Sequence, residues 1–208
     1  YFNFLDDVEI MKINYNFYHW GPFLYKTKLT NEEINKIKKL CKKNIKKNFR
    51  SNLAGLIKNE YEINSKKLFS IIFLYLDSYS KAAQEHYNIN IGKKITLKES
   101  WVNFMTKFES NPLHSHSGDL SFIIYLDIPK KLKEECNDTI SNKSKPGGIN
   151  FVNKLNDEKL FINALNFFPE IGDFFIFPAS LNHYVNHFQS EGERVSVSGN
   201  IELEDYEE

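Results

Sequence analysis

The sequence predicts an α+β protein in which an N-terminal helical region supports an antiparallel barrel of jelly-roll type. Two observations carry this. Up to about residue 93 apolar side chains recur at helical spacing; from Lys94 onward they alternate in seven or eight short segments with no intervening helix. Helices first and strands afterwards describe an α+β chain, and many short strands parted by turn residues describe a sandwich or barrel. A chain of 208 residues can bury one sizeable core. It therefore reads as a single domain, with residues 1–93 as an N-terminal strand and helical support and residues 94–208 as the barrel.

The elements follow in order. Residues 1–10 are acidic and aromatic and lack the basic start and apolar core of a secretory signal. The chain begins without Met, and Met11 is a candidate start in a longer reading frame. Thr30-Asn31-Glu32-Glu33 is a capping box, followed by Ile34, Ile37, Leu40, Cys41 and Ile45 on one face of a helix running to about Lys47. The lysines between Lys36 and Lys47 read as its solvated face, not as a phosphate track. Ser65 opens a second helix with Leu68, Ile71, Ile72, Tyr75, Leu76 and Tyr79 on one face, fading near His86. Strands are expected over 95–108, 120–128, 149–152, 159–167, 173–177, 183–188 and 195–203. Turn material separates them at Ser110-Asn111-Pro112, Lys145-Pro146-Gly147-Gly148 and Glu170-Ile171-Gly172-Asp173. The polar stretch 130–144 reads as a loop, a candidate flap over one barrel mouth.

Composition excludes several classes. Lys+Arg and Asp+Glu are both 27, so broad electrostatic binding to nucleic acid is disfavoured. No apolar run approaches the roughly 20 residues of a membrane span. Two cysteines, Cys41 and Cys136, cannot build a disulfide framework or a cysteine zinc cage, which points to a reducing, cytoplasmic compartment. The 27 cations comprise 25 Lys and only Arg50 and Arg194, a bias shared with the abundance of Asn and Ile and expected of AT-rich codons. In such a chain a retained Arg points to a need for the planar guanidinium fork.

Four of the six histidines fall in the strand region, as His114-Ser115-His116 and as His183 with His187. Residues i and i+2 of a strand share a face, so two imidazoles of a His-x-His can converge on one metal, and a distant strand can supply the third. Taken alone, so short a pattern reads more readily as polar strand-end residues than as metal ligands. Arg194, Ser196 and Ser198 also share a face, while Val195 and Val197 take the other. An inward Arg is costly unless it meets an anion. His187 shares the face of His183 and is expected near the pocket; Asn103 could reach it; Trp101 and Asp173 read as packing and turn residues, and His19 and His86 as surface residues.

These segments are similar to the iron(II)- and 2-oxoglutarate-dependent oxygenases, in particular the small oxygenases of bacteriophages and marine bacteria. The resemblance is carried by Ser100-Trp101-Val102-Asn103, by Asn111-Pro112-Leu113-His114-Ser115-His116, and by Leu120 to Leu126. Gly172 to Pro178, the His183 segment and Glu193 to Asn200 continue it, with Trp20-Gly21-Pro22-Phe23 and Asn52-Leu53-Ala54-Gly55 in the helical half. It implies a double-stranded β-helix, a cupin-like barrel, holding Fe(II) and 2-oxoglutarate and using dioxygen. Carried over by position, it implies metal ligands at His114 and His183, and an anchor for the far carboxylate of 2-oxoglutarate at Arg194 and Ser196, with Tyr125 directed at the same group. The superfamily pattern is His-x-Asp or His-x-Glu, whereas here the third position is His116. Either His116 coordinates, which its strand parity favours, or Asp119 supplies the carboxylate across Gly118.

The implied reaction is oxidative: 2-oxoglutarate is decarboxylated to succinate, and a C–H bond of a protein or small-molecule substrate is hydroxylated. Two other readings stand beside it. One is a three-histidine cupin-type dioxygenase without 2-oxoglutarate, which leaves Arg194-x-Ser196 unexplained. The other is a non-catalytic phage binding or structural module.

Overall fold

The computed structural model describes residues 21–43, 47–91, 94–140, 145–153 and 163–204. His19 and Met11 lie outside the described residues. The capping box forms: the Thr30 amide donates to Glu33 Oε2 at 2.9 Å and the Glu33 amide to Thr30 Oγ1 at 3.3 Å, opening α1 (Asn31–Lys43). Its buried residues Ile34, Ile37, Leu40 and Cys41 follow the helical period. The second helix, α2 (Ser65–Tyr87), begins where expected, but its cap is Asn64, whose side chain accepts from the Lys67 amide. It ends at Asn88 in the left-handed region (φ 54°), which Asn tolerates.

Two sheets follow. The larger has six antiparallel strands, in the order β1 (Tyr25–Lys28), β8 (Asp173–Pro178), β5 (Leu120–Asp127), β10 (Arg194–Glu204), β3 (Lys94–Met105) and β2 (Asn59–Glu62). The smaller has four, in the order β4 (Asn111–His114), β9 (Asn182–Val185), β6 (Ile149–Val152) and β7 (Ala164–Phe167). The large sheet is covered on both faces, so β5 is buried at seven of its eight positions and reads as a continuous apolar run. Phe122, Ile124, Phe174, Ile176, Val197 and Ile201 pack towards α1 and α2. Ile123, Tyr125, Phe175 and Phe177 point the other way, into a core shared with Phe151, Ile149 and Val185 of the small sheet. This alternation leaves Arg194, Ser196, Ser198 and Asn200 of β10 on the inner face.

Three expectations are corrected. Residues 130–140 are not a loop: α3 (Lys130–Asp138) forms there, because Leu132 and Cys136, one turn apart, are buried and Glu135 accepts from the Gln189 and Ser190 amides. Asn111-Pro112 is not a turn but the start of β4, an edge strand of the small sheet, where a proline costs no ladder hydrogen bond. The N-terminal region also carries β2, which no alternating pattern announces. Elsewhere β3 stops at Met105 and β9 at Val185, short of the expected 108 and 188, and β7 is described only over Ala164–Phe167. No helix among the described residues is long and apolar enough to cross a membrane.

Candidate metal centre and anion pocket

Backbone pairing builds the centre. His114 ends β4 and lies directly opposite His183 of β9, with a register irregularity between Asn111 and His114. His116 lies just past the end of β4, and its amide donates to the Ala179 carbonyl at 2.9 Å. Strand parity therefore predicted the convergence of the two rings although His116 is not itself on a strand. The ligand atoms of His114, His116 and His183 all lie within 4.8 Å of one another.

Each of two rings is fixed by a backbone carbonyl two residues earlier. His114 Nδ1 sits 2.6 Å from the Pro112 oxygen and His183 Nδ1 sits 2.9 Å from the Leu181 oxygen. A carbonyl only accepts, so both Nδ1 atoms carry the proton and Nε2 keeps its lone pair, the arrangement that orients imidazole ligands on metals. Burial holds His116 down to about 3, reinforced by the neighbouring imidazoles, and holds His183 down to about 4. Burial also lowers His114. All three are thus neutral near pH 7 and free to ligate. His116 Nε2 and His183 Nε2 are 3.1 Å apart. Two imidazole nitrogens bound at right angles, each about 2.1 Å from one ion, would be about 3 Å apart, so the pair has the spacing of two adjacent ligands. Trp101, stacked on Phe49 and tilted against His116 at 5.8 Å, walls the centre.

Asp119 is placed elsewhere. Gly118 adopts φ 86°, where a Cβ would meet the Ile201 carbonyl at 2.8 Å. That turn carries Asp119 to the far end of β10, where its exposed carboxylate accepts from the Leu203 amide at 2.7 Å. His187 is also outside the cavity, exposed beyond the end of β9, in contrast to its expected place near the pocket. His86 is exposed in the last turn of α2. Asp173 is buried and closes the turn before β8, accepting from the Glu170 amide, with Lys26 as its ion-pair partner.

Arg194 shares one cavity of about 200 Å³ with the three histidines. It is 2% exposed, yet no carboxylate pairs with it among the described residues. Its Nη1 donates to the Gly147 carbonyl at 2.8 Å, its guanidinium lies over the Tyr125 ring at 5.2 Å, and its Nε has no partner. The Tyr125 hydroxyl is also buried without a partner, and burial pushes it up to about 12, so it stays a donor. Ser196 pairs in register with both Tyr125 and Asn103. A buried cation with unspent donors and a neighbouring free hydroxyl suits a carboxylate ligand. Gly147 makes this possible: at φ 65°, where a Cβ would strike Leu132 at 2.9 Å, it turns its carbonyl onto Arg194.

Sequence reasoning did not single out Glu60, Asn111 or Gly147. Glu60 is 1% exposed and lines the cavity, and burial pushes its carboxyl up to about 7. Nothing in Asn59-Glu60-Tyr61-Glu62 marks one acid as inward, because burial of a short edge strand is decided by what covers it.

Comparisons agree with this geometry. Residues 99–200 match the family described as "Putative 2OG-Fe(II) oxygenase". Among solved structures, a prolyl-4-hydroxylase from Pseudomonas putida is similar with a TM-score of 0.56 at 12% identity, covering 86% of this chain and 92% of that one. HygX from Streptomyces hygroscopicus, with nickel and 2-oxoglutarate bound, gives 0.54 at 12% identity, covering 88% and 83%. A prolyl hydroxylase from Trichoplax adhaerens, in complex with a hypoxia inducible factor peptide fragment, gives 0.55 at 11%, covering 89% and 84%. No curated protein matches the chain by sequence. The shared fold is the double-stranded β-helix. The family match takes in every cavity-lining strand except β2, so residues 99–200 are similar to the 2-oxoglutarate- and Fe(II)-dependent oxygenases.

Proposed function

We propose that the protein is a dioxygenase that uses Fe(II), 2-oxoglutarate and dioxygen to hydroxylate a C–H bond of a protein or small-molecule substrate, releasing succinate and carbon dioxide. The observation that carries this is one cavity holding three convergent, neutral imidazoles and a buried, unpaired guanidinium. His114, His116 and His183 hold the iron, with their Nε2 lone pairs aimed by the Pro112 and Leu181 carbonyls at two of the three rings. Arg194 takes the far carboxylate of 2-oxoglutarate, with Ser196 and the Tyr125 hydroxyl as further donors. The iron and cosubstrate supply the oxidising chemistry.

The chain's own work is positioning and exclusion of water. Phe151, Phe177 and Val185 close the apolar side of the centre, and Trp101 closes another. The 2-oxoglutarate bound to HygX and the peptide bound to the Trichoplax adhaerens enzyme support the cosubstrate and leave both substrate classes open. Both cysteines are free and buried, in keeping with a reducing cytoplasm. Anaerobic titration of the purified chain with Fe(II) and then 2-oxoglutarate tests the reading. A visible metal-to-ligand charge-transfer band that saturates at one equivalent of each is the expected result. Iron binding without a 2-oxoglutarate-dependent band would overturn it and favour a three-histidine dioxygenase that takes its substrate directly on the metal.

A further inference from the structure

A row of polar side chains crosses the large sheet on its inner face. Tyr125 of β5 pairs with Ser196 of β10, Ser196 with Asn103 of β3, and Asn103 with Glu60 of β2. The donor-rich end, beside Arg194, is the anion pocket. The other end is its opposite. Glu60 Oε2, Asn103 Oδ1 and Asn111 Oδ1 are all buried acceptors without a hydrogen-bond partner among the described residues, and all three residues line the cavity.

Glu60 is the common neighbour of the two asparagines. Glu60 and Asn103 are direct cross-strand neighbours, which puts their Cβ atoms about 5 Å apart. A Cβ on Gly55 would lie 3.1 Å from Glu60 Oε1 and 3.6 Å from Asn111 Oδ1, so these two side chains converge on one point under the loop that carries Gly55. No cation pairs with Glu60 within the described residues. Arg50 acts on it only at a distance from the exposed 3₁₀ turn Arg50–Asn52, and Glu109, whose carboxylate is taken up by the Lys58 and Thr106 amides, repels it. A buried carboxylate left without a partner is destabilising, so its retention calls for a ligand. The unspent atoms at this end are acceptors, while Asn103 spends an N–H on Ser196, and unspent acceptors are the complement of an ammonium group, which has three N–H donors and no acceptor.

We propose that Glu60, with Asn103 and Asn111, binds a primary ammonium group of the substrate, placing the amine at the β2 end of the cavity and the carbon to be oxidised towards the histidines. Calling this amine a substrate's rests on the oxygenase reading; the acceptor site itself does not. Glu60 lies outside the residues that match the oxygenase family, so this specificity is a feature of the chain's own N-terminal region. The raised Glu60 carboxyl fits a group that ionises fully only when a cation arrives.

Calorimetric titration of the full chain with matched pairs tests the site. D-glucosamine is set against D-glucose, and a Gly-Lys-Gly peptide against Gly-norleucine-Gly, each with and without Fe(II) and 2-oxoglutarate under nitrogen. At least one amine is expected to bind roughly tenfold to a hundredfold more tightly than its neutral partner, and the pair that shows it separates a sugar from a peptide source. Glu60→Gln is expected to erase that preference while leaving 2-oxoglutarate affinity unchanged. Should Glu60→Gln not fold, Glu60→Asp, which keeps the charge but shortens its reach, should reduce the preference severalfold. Absence of any amine preference in the wild type, or its survival unchanged in the variant that folds, overturns the proposal. Failure of 2-oxoglutarate to bind the wild type would instead overturn the oxygenase reading and leave the amine comparison standing.

Discussion

Replacing Arg194 by lysine keeps the charge and removes the fork, which separates the two things the proposed anchor needs. In the structure Nη1 is committed to the Gly147 carbonyl at 2.8 Å, and Nε is the donor left unspent inside the cavity. A lysine ammonium can replace one of these contacts but not both at the angles a planar carboxylate requires. Charge-assisted hydrogen bonds in a buried site are worth about 1.5–3 kcal/mol, so losing the second contact should raise the 2-oxoglutarate dissociation constant roughly tenfold to a hundredfold. Fe(II) affinity without cosubstrate should hold, since Arg194 is not among the converging imidazoles. The assay is 2-oxoglutarate titration of Fe(II)-loaded wild type and Arg194→Lys, with a melting curve for each. Unchanged 2-oxoglutarate affinity, or loss of the fold with no selective binding defect, would make Arg194 a structural clamp on the Gly147 turn.

Further outcomes follow from the same geometry. His183→Ala should abolish stoichiometric iron binding at equimolar metal, because the two imidazoles left cannot hold Fe(II) against water; full retention by elemental analysis would refute the centre. His116→Ala should cost more iron affinity than Asp119→Ala, given that the Asp119 carboxylate is spent on the Leu203 amide; the reverse order in a metal titration would hand the third ligand to Asp119. Glu60→Gln should raise the melting temperature above pH 7 and leave it nearly unchanged near pH 4.5. The sign follows from a carboxyl that titrates at about 7 in the fold against 4.5 in an open chain: the wild type folds at no penalty while the group is protonated, and loses stability as pH rises between those values. Discounted for partial solvation, the loss is on the order of 2 kcal/mol. A variant less stable than wild type at pH 8 would mean the ionised carboxylate has a stabilising partner.

What the sequence revealed and what it hid divide along physical lines. Interior strands were legible through a long apolar run in β5 and through alternation in β10: 120–128 and 195–203 lie within a residue or two of them, and 149–152 coincides with β6. The helices declared themselves through the Thr30 capping box and the period of Ile34, Ile37, Leu40 and Cys41. Edge and short elements were not legible. β2 has four residues and β4 contains a proline, so neither carries an alternating signal strong enough to compete with turn chemistry. The helix α3 escaped because a mean composition as polar as Lys130–Asp138 hides the two residues, Leu132 and Cys136, that anchor it. His114, His116, His183 and Arg194, which share one cavity with Ser196, stood out because imidazole and guanidinium groups are costly in a barrel interior and because the family resemblance pointed to them. Glu60 was not found, since glutamate is common in this chain and only the covering loop at 52–57 makes this one buried.

The proposed centre differs from the superfamily pattern in charge, and the rest of the cavity answers that difference. A His-x-Asp site brings one negative ligand to the metal; His116 brings none, and the nearest acid in sequence, Asp119, is held away by the positive φ of Gly118. Among the described residues the carboxylates lining the cavity are Glu60 and Glu99, and Glu99 already accepts from Asn200 at 2.7 Å. A divalent ion on three neutral imidazoles, with the Arg194 guanidinium in the same cavity, is therefore a strongly positive environment. A dicarboxylate that touches the cations at both of its ends is the anion best matched to it, because each carboxylate is then neutralised where it is buried. A metal held by His116 in place of an acid would tie 2-oxoglutarate binding more closely to that metal, and Glu60 is the free acid at the other end of the polar row. Cosubstrate and substrate are on this account sorted by sign within one cavity: anion towards Arg194 and the histidines, cation towards Glu60.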